Sequence, residues 1–184
     1  MVSASNNLLD CAQILQNGGI VVHATEGVFG FACSIEHEDA LERITELKGR
    51  DSQASPFLIL ASDLEQVATL VSLEVPLIGE IKHSWPGATT WVFPDKTKTY
   101  PYLGGADGSL AVRLTAHTQA RSLIEQVGPI VSTSANRHGD APALTVAAAQ
   151  QYFGDQVDYY LPGALITPGQ PSKIRHASSG EWLR

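Results

Sequence analysis

Apolar positions along the chain alternate between two spacings. Short runs rich in β-branched and aromatic residues read as strands: Ile20-Val21-Val22, Phe29 to Ser34, Pro56 to Ala61, Trp91-Val92-Phe93, Leu110 to Leu114, Ile130-Val131 and Val157 to Leu161. Continuous apolar runs of this kind suit strands buried on both faces. Between them, apolar residues recur every three or four positions, as in Leu8, Ala12 and Leu15, in Leu41, Ile44 and Leu47, and in Leu64, Val67, Ala68 and Val71. Capping residues set the expected helix limits. Asn7 is expected to open the first helix and Gly18-Gly19 to close it; Gly49 stops a helix over residues 38–48; Ser62 and Glu65 have the spacing of a capping box. A further helix is expected from Pro76 to His83, one after Thr118 that ends at Gly128, and one after Thr145 that ends at Gly154. A short strand is expected at Lys173-Ile174-Arg175. Neither a repeat nor a linker divides the chain, so the pattern predicts one α/β domain over residues 1–184.

Composition narrows the function classes. With 184 residues, of which 43% are hydrophobic, the chain can bury a substantial core. The N-terminus has no signal-peptide pattern and no apolar run approaches a membrane span of roughly 18 residues, which leads us to expect a cytoplasmic protein without membrane contact. The formal charge of −7 counts against broad, non-specific binding of nucleic acid but leaves a local basic patch open. Cys11 and Cys33 are expected to be buried thiols. The six histidines lack HxH or HExxH spacing, so no protein-bound zinc is expected. GxxxxGK[ST], GxGxxG and GxSxG are also missing, which removes P-loop, Rossmann and nucleophile-elbow readings.

Chemistry therefore has to come from scattered strand ends. Pro129 to Asn136 starts as a strand and finishes in Ser132, Thr133, Ser134 and Asn136, either a polar turn or a wall that lets a ligand approach the backbone. His23 to Gly30 forms a second polar strand end, with a hydroxyl at Thr25 and a carboxylate at Glu26. Lys48 and Arg50 leave a helix C-terminus together; they either complement its dipole or neutralise an anion. Arg113 interrupts an apolar strand, so it is either half-exposed with a packed stem or an anion binder. An anionic ligand would draw on Lys48, Arg50, Arg113, Ser132, Ser134 and Asn136.

Six stretches resemble the YrdC-like family in order and spacing: Thr25 to Gly30, Lys48-Gly49-Arg50, Ser84 to Gly87, Ser109 to Arg113, Val131 to Asn136, and Pro171 to Arg175. The likeness spans nearly the whole chain and is to the family's short bacterial form. It implies an α/β (α+β) fold of the YrdC/RibB-like type: a twisted, mixed sheet flanked by helices around a concave, positively charged cavity. It further implies that L-threonine, bicarbonate and ATP are joined to give L-threonylcarbamoyl-AMP and pyrophosphate. A separate complex would then transfer the threonylcarbamoyl group to tRNAs reading ANN codons, and contact with tRNA or double-stranded RNA is also implied. Mg²⁺ would come with ATP, without a dedicated protein site.

Carried over residue by residue, the resemblance gives Lys48, Arg50, Ser134 and Asn136 as the catalytic signature. It gives Thr25, Arg113 and Ser172 as threonine contacts. Ser109, Ser132, Ser134 and Arg184 fall at or near nucleotide contacts, together with Lys48, Arg50 and Asn136. The implied chemistry uses no protein nucleophile, so Ser134 is expected to hydrogen-bond. The chain departs from the family pattern at Ala24 and Asp51, where proline is common, and at His138, where serine is usual; Asp51 would lower the positive potential beside Arg50. Two other readings compete: a non-catalytic RNA-binding module, and a carbamoyl-AMP-forming enzyme like the related domain of hydrogenase-maturation proteins.

Overall fold

In the computed structural model, residues 4–49, 56–94 and 99–184 are described. Eight strands are present among them: β1 (Val21–Ala24), β2 (Phe29–Ser34), β3 (Leu58–Ala61), β4 (Thr89–Pro94), β5 (Ser109–Leu114), β6 (Ile130–Ser134), β7 (Tyr159–Tyr160) and β8 (Lys173–His176). They form one mixed sheet in the order β7-β1-β2-β6-β3-β5-β4-β8. The centre is antiparallel from β1 through β2 and β6 to β3, whereas β3/β5 and β4/β8 are parallel.

Alternation along these strands feeds two cores, as a strand period of two requires. Val22, Phe31, Ile59 and Val131 point into the larger core, and their neighbours Val21, Ala32, Leu60 and Ile130 into a smaller one. The smaller core is covered by α1 (Ala4–Gln16) and α5 (Thr118–Val127), through Cys11, Leu15, Leu123 and Ile124. Residues of α2 (Glu38–Lys48), α3 (Leu64–Leu70), α4 (Ile78–Ser84) and α6 (Val146–Phe153) join the larger core. Cys11 and Cys33 are free and buried. No described helix is long and apolar enough to cross a membrane.

Helix starts differ from expectation where a neighbouring side chain caps better. Asn7 lies inside α1, which begins at Ala4. Asp63 caps α3 by accepting from Gln66 N, and the Gln66 side chain reaches back to Ser62 N, so the capping exchange sits one residue later than the Ser62/Glu65 spacing implied. Ala68, expected on the inner side, is exposed. In α5 the cap is His117, whose Nδ1 accepts from Ala120 N, and Thr118 is the first helical residue. Thr145 caps α6 and Gly49, at φ 58°, ends α2, both as expected.

The face that carries the smaller core is only partly roofed. Ile130, Ser132 and Ser134 share one side of β6; Ile130 packs under α1 and α5, while Ser132 and Ser134 line a cavity. Leu60 and Leu58 repeat the pattern on β3, since Leu60 is in the small core and Leu58 borders the cavity. The site is thus the unroofed part of a sheet face.

Candidate functional site

The cavity holds about 440 Å³ and is bounded by the β1–β2 turn, β6, the Arg113 end of β5, residues 170–172 and Arg184. Its size suits a small-molecule ligand. Thr25, Arg113, Ser132, Ser134, Asn136, Ser172 and Arg184 all line it. Two guanidiniums, Arg113 and Arg184, face one carboxylate, Glu26, so the charged lining residues sum to +1 in a chain of −7. A larger concavity of about 920 Å³ lies between α2 and residues 101–106, but Glu38, Glu42 and Glu46 rim it and disfavour an anion there.

Arg113 is, with Glu26, one of two deeply buried charged residues that line the cavity. It is 4% exposed, which removes the half-exposed reading made from its strand position. One terminal nitrogen is 3.3 Å from Glu26 Oε2, and its Nε has no hydrogen-bond partner. Glu26 is in turn held by Thr115 Oγ1 at 2.6 Å and Ala116 N at 3.0 Å, both donating to Oε1. Burial alone would raise the Glu26 pKa, but Arg113 and these donors outweigh it and hold the carboxyl below its ordinary value. Burial also pulls the Arg113 guanidinium down, against the opposing pull of Glu26. A buried cation that is paired with one carboxylate and also lines the cavity suits a ligand carboxylate or phosphate oxygen.

The β1–β2 turn that supplies Glu26 is fixed by close backbone contact. Thr25 Oγ1 donates to Val28 O at 2.7 Å, which leaves the hydroxyl oxygen able to accept from a ligand amine. Glu26 O accepts from Ile166 N and Thr167 N, and Gly27 O from Gly169 N. A Cβ on Gly27 would come within 1.8 Å of Gln170 O, so only glycine lets the segment that carries Ser172 pack here.

Lys48 takes a different position from the one its spacing suggested. It is 5% exposed and does not line the cavity; Nζ donates to Ser134 O at 2.6 Å and Asn136 O at 3.1 Å. Its own carbonyl accepts from His138 N. Lys48 therefore holds the backbone wall that presents Ser134 and Asn136, more than complementing a helix dipole requires. Asn136 Nδ2 spends both hydrogens on Arg137 O and Asp140 O, which shapes the turn after β6. Ser109 is not a lining residue; its hydroxyl donates to Asp107 at 2.7 Å. Arg50 and Asp51 lie outside the described residues.

Gly30 also lines the cavity, with His23 and His117 buried behind its wall, and none of the three was singled out by spacing. His23 Nε2 lies 3.2 Å from Ser132 Oγ, and Gly30, paired with both His23 and Ser134, leaves the space between them because a Cβ there would crowd Ser132 Oγ at 3.1 Å. The available signal was alternation: Val21 and His23 share a face, which places His23 on the cavity side. His117 is tied through Nε2 to Ala164 O, just before the residues whose backbone holds Glu26 O. Burial pushes the His23 pKa down to about 4, with His117 and then Arg113 adding to the effect, so the ring is neutral at pH 7.

That shift makes stability depend on pH. The unfolded chain takes up a proton on His23 near pH 6.5 and the native state only near 4, so stability is complete above 6.5 and falls as pH drops towards 4, by on the order of 3 kcal/mol. Urea unfolding at pH 7 and pH 4.5 should show this loss in the wild type and a much smaller one in His23→Gln. An unchanged pH slope in that variant would remove His23 as its source. Glu26, already depressed, adds its own loss only at lower pH.

Comparison with known proteins is consistent with this layout. Residues 13–184 match the model of the Sua5/YciO/YrdC family, described as telomere recombination. A protein of Nitrosococcus oceani named threonylcarbamoyl-AMP synthase is 40% identical over 175 residues, covering 94% of each chain. One of the same name from Methylococcus capsulatus is 42% identical over 175 residues, again covering 94% of each. Among solved structures, P. abyssi Sua5 complexed with L-threonine superposes with a TM-score of 0.85 at 28% identity over 96% of this chain; the match spans 52% of that longer chain.

Proposed function

The chain belongs to the Sua5/YciO/YrdC family, and from that premise we propose that it is a nucleotidyltransferase that makes L-threonylcarbamoyl-AMP. The substrates are L-threonine, bicarbonate and ATP with its Mg²⁺; the products are the adenylate, pyrophosphate and water. The observation that carries the residue assignment is Arg113, a buried guanidinium paired with Glu26 on one side that also lines the cavity.

In this reading Arg113 pairs with the threonine carboxylate, and Thr25 Oγ1 and Ser172 receive its polar groups. The threonine amine takes up the carbon of bicarbonate with loss of water. The resulting N-carboxylate oxygen then attacks the α-phosphorus, and the bond to pyrophosphate breaks. Ser132, Ser134 and Arg184 meet the phosphates, where negative charge is greatest. Lys48 acts by holding the Ser134–Asn136 backbone, and Asn136 by shaping the turn behind it. Arg50 belongs to the same signature, and Ser109 stands behind the wall, against Asp107. Positioning and charge provide the catalysis, with no covalent enzyme intermediate.

The adenylate is the substrate for the complex that modifies tRNAs reading ANN codons, and the compartment is the cytoplasm. A carbamoyl-AMP product is disfavoured because relatives about 40% identical over most of both chains are named for the threonyl product. An RNA-binding module without catalysis does not account for a pocket of this size with a buried, half-paired Arg. The proposal is tested by supplying labelled bicarbonate with ATP and threonine and identifying the adenylate by mass. The label is expected in threonylcarbamoyl-AMP; no labelled adenylate here, with carbamoyl-AMP formed when carbamoyl phosphate is supplied in place of threonine and bicarbonate, would favour the other enzyme reading.

A further inference from the structure

Arg184 reaches the cavity rim at the end of an arm that the proposed chemistry does not explain. After β8, a turn containing Gly180, at φ 76°, sends the chain back along the β8 edge. His176 N donates to Glu181 O, Leu183 N to Ile174 O, and Ile174 N to Arg184 O, while Arg175 and Trp182 form a bridge pair. At its end Arg184 Nε donates to Ser172 O and a terminal nitrogen to Ser172 Oγ, both at 3.1 Å. These bonds set Arg184 beside Ser172 at the mouth of the cavity.

The arm is fastened on the other side of β8 by an aromatic and cationic stack. The Arg175 guanidinium lies 5.2 Å from the Trp91 ring centre and 4.9 Å from that of Trp182. Trp91 is core and 1% exposed, whereas Trp182 is 54% exposed, an unusual place for an indole unless something fixes it. Lys173 Nζ approaches the same Trp182 ring at 5.9 Å. Arg175 is oriented by two further contacts, an ion pair with Glu80 of α4 and a hydrogen bond from Nε to Gly180 O at 2.7 Å. Even the turn is fitted to it, since a Cβ on Gly180 would approach an Arg175 terminal nitrogen at 3.1 Å.

We infer that Trp182 and Arg175 are positioning residues for the reaction: Trp182 clasps Arg175 against the fixed Trp91 ring, and this clasp holds the arm that presents Arg184 at the cavity rim. Neither residue acts on the substrate. The inference rests on the reading of the cavity as the substrate site, because only then does the placement of Arg184 affect turnover. A covalently continuous arm of two residues links the stack to Arg184, so loosening Trp182 leaves Arg184 intact but free to leave Ser172. That costs the ordering of a long cationic side chain each time a ligand binds.

The test is a double-mutant cycle on pyrophosphate release, with KM for ATP and kcat measured separately for Trp182→Ala, Arg184→Ala, the double variant and Trp182→Phe. Arg184→Ala is expected to raise KM about ten- to hundredfold, the range for losing a hydrogen bond from a charged donor. Trp182→Ala should reproduce most of that rise, and the double variant should be no worse than Arg184→Ala, since both changes remove one interaction. Trp182→Phe, which keeps a ring over Arg175, should restore most of the loss. Additive effects in the double variant, or a Trp182→Ala enzyme with wild-type KM beside an impaired Arg184→Ala, would overturn the positioning role and leave the site reading in place. Wild-type KM in Arg184→Ala would instead overturn the reading of the rim, and the inference with it.

Discussion

Replacing Arg113 with leucine is expected to reduce pyrophosphate release at least a hundredfold and to cost about 3–5 kcal/mol of stability. The two effects have one origin. Glu26 is 4% exposed, and Arg113 is the cation beside it; without Arg113 the carboxylate stays buried with only Thr115 and Ala116 as donors. Removing one partner of a buried pair leaves the desolvation cost of the other uncompensated. Activity is expected to fall because, on the proposed assignment, the ligand carboxylate loses its buried cation. A combined Glu26→Gln/Arg113→Leu variant should recover part of the stability but none of the activity, and the comparison of urea midpoints with turnover measures both. Recovery of activity in the double variant would show that Arg113 serves the fold alone.

The second large effect is expected at Lys48. Methionine keeps the stem but removes the ammonium that Ser134 O and Asn136 O share. Leaving these carbonyls without that donor is expected to cost about 2–4 kcal/mol, with a fall in melting temperature on the order of 10 °C. Turnover should fall at least tenfold, because Ser132 and Ser134 stand on the same strand end and misplacement of about 1 Å is costly in catalysis. Thermal unfolding and pyrophosphate release, measured together, check this. Full thermal stability with lost turnover would put the ammonium in contact with the ligand and not behind the wall.

Much of the fold was legible because burial on both sheet faces leaves a plain mark in sequence. The limits of β2 and α2 follow directly from the apolar run Phe29 to Ser34 and from the stripe ended by Gly49. Helix starts were less legible, since several side chains compete to cap the same turn. Asp63 displaced Ser62, and His117 displaced Thr118, because the better placed acceptor was set by chain entry into the helix and not by residue type alone.

The site shows the same division. A buried Arg in a strand requires a partner, which spacing alone left open; the sheet brings Glu26, 87 positions away in sequence, to Arg113 through the β1–β2 turn. Lys48 was recognisable as part of a signature, yet its direction depended on which backbone carbonyls the turn after β6 would leave unsatisfied. His23 was hidden for a further reason. Alternation gives the face of a lone histidine in an apolar strand but not its partner, and only the gap at Gly30 connects it to Ser132.

The central claim is most directly tested by pyrophosphate release from ATP by the purified chain with L-threonine and bicarbonate present, and again with each omitted. The account predicts release only when both are supplied, with loss of most of it in Arg113→Leu. Release that continues at the same rate without threonine would contradict it.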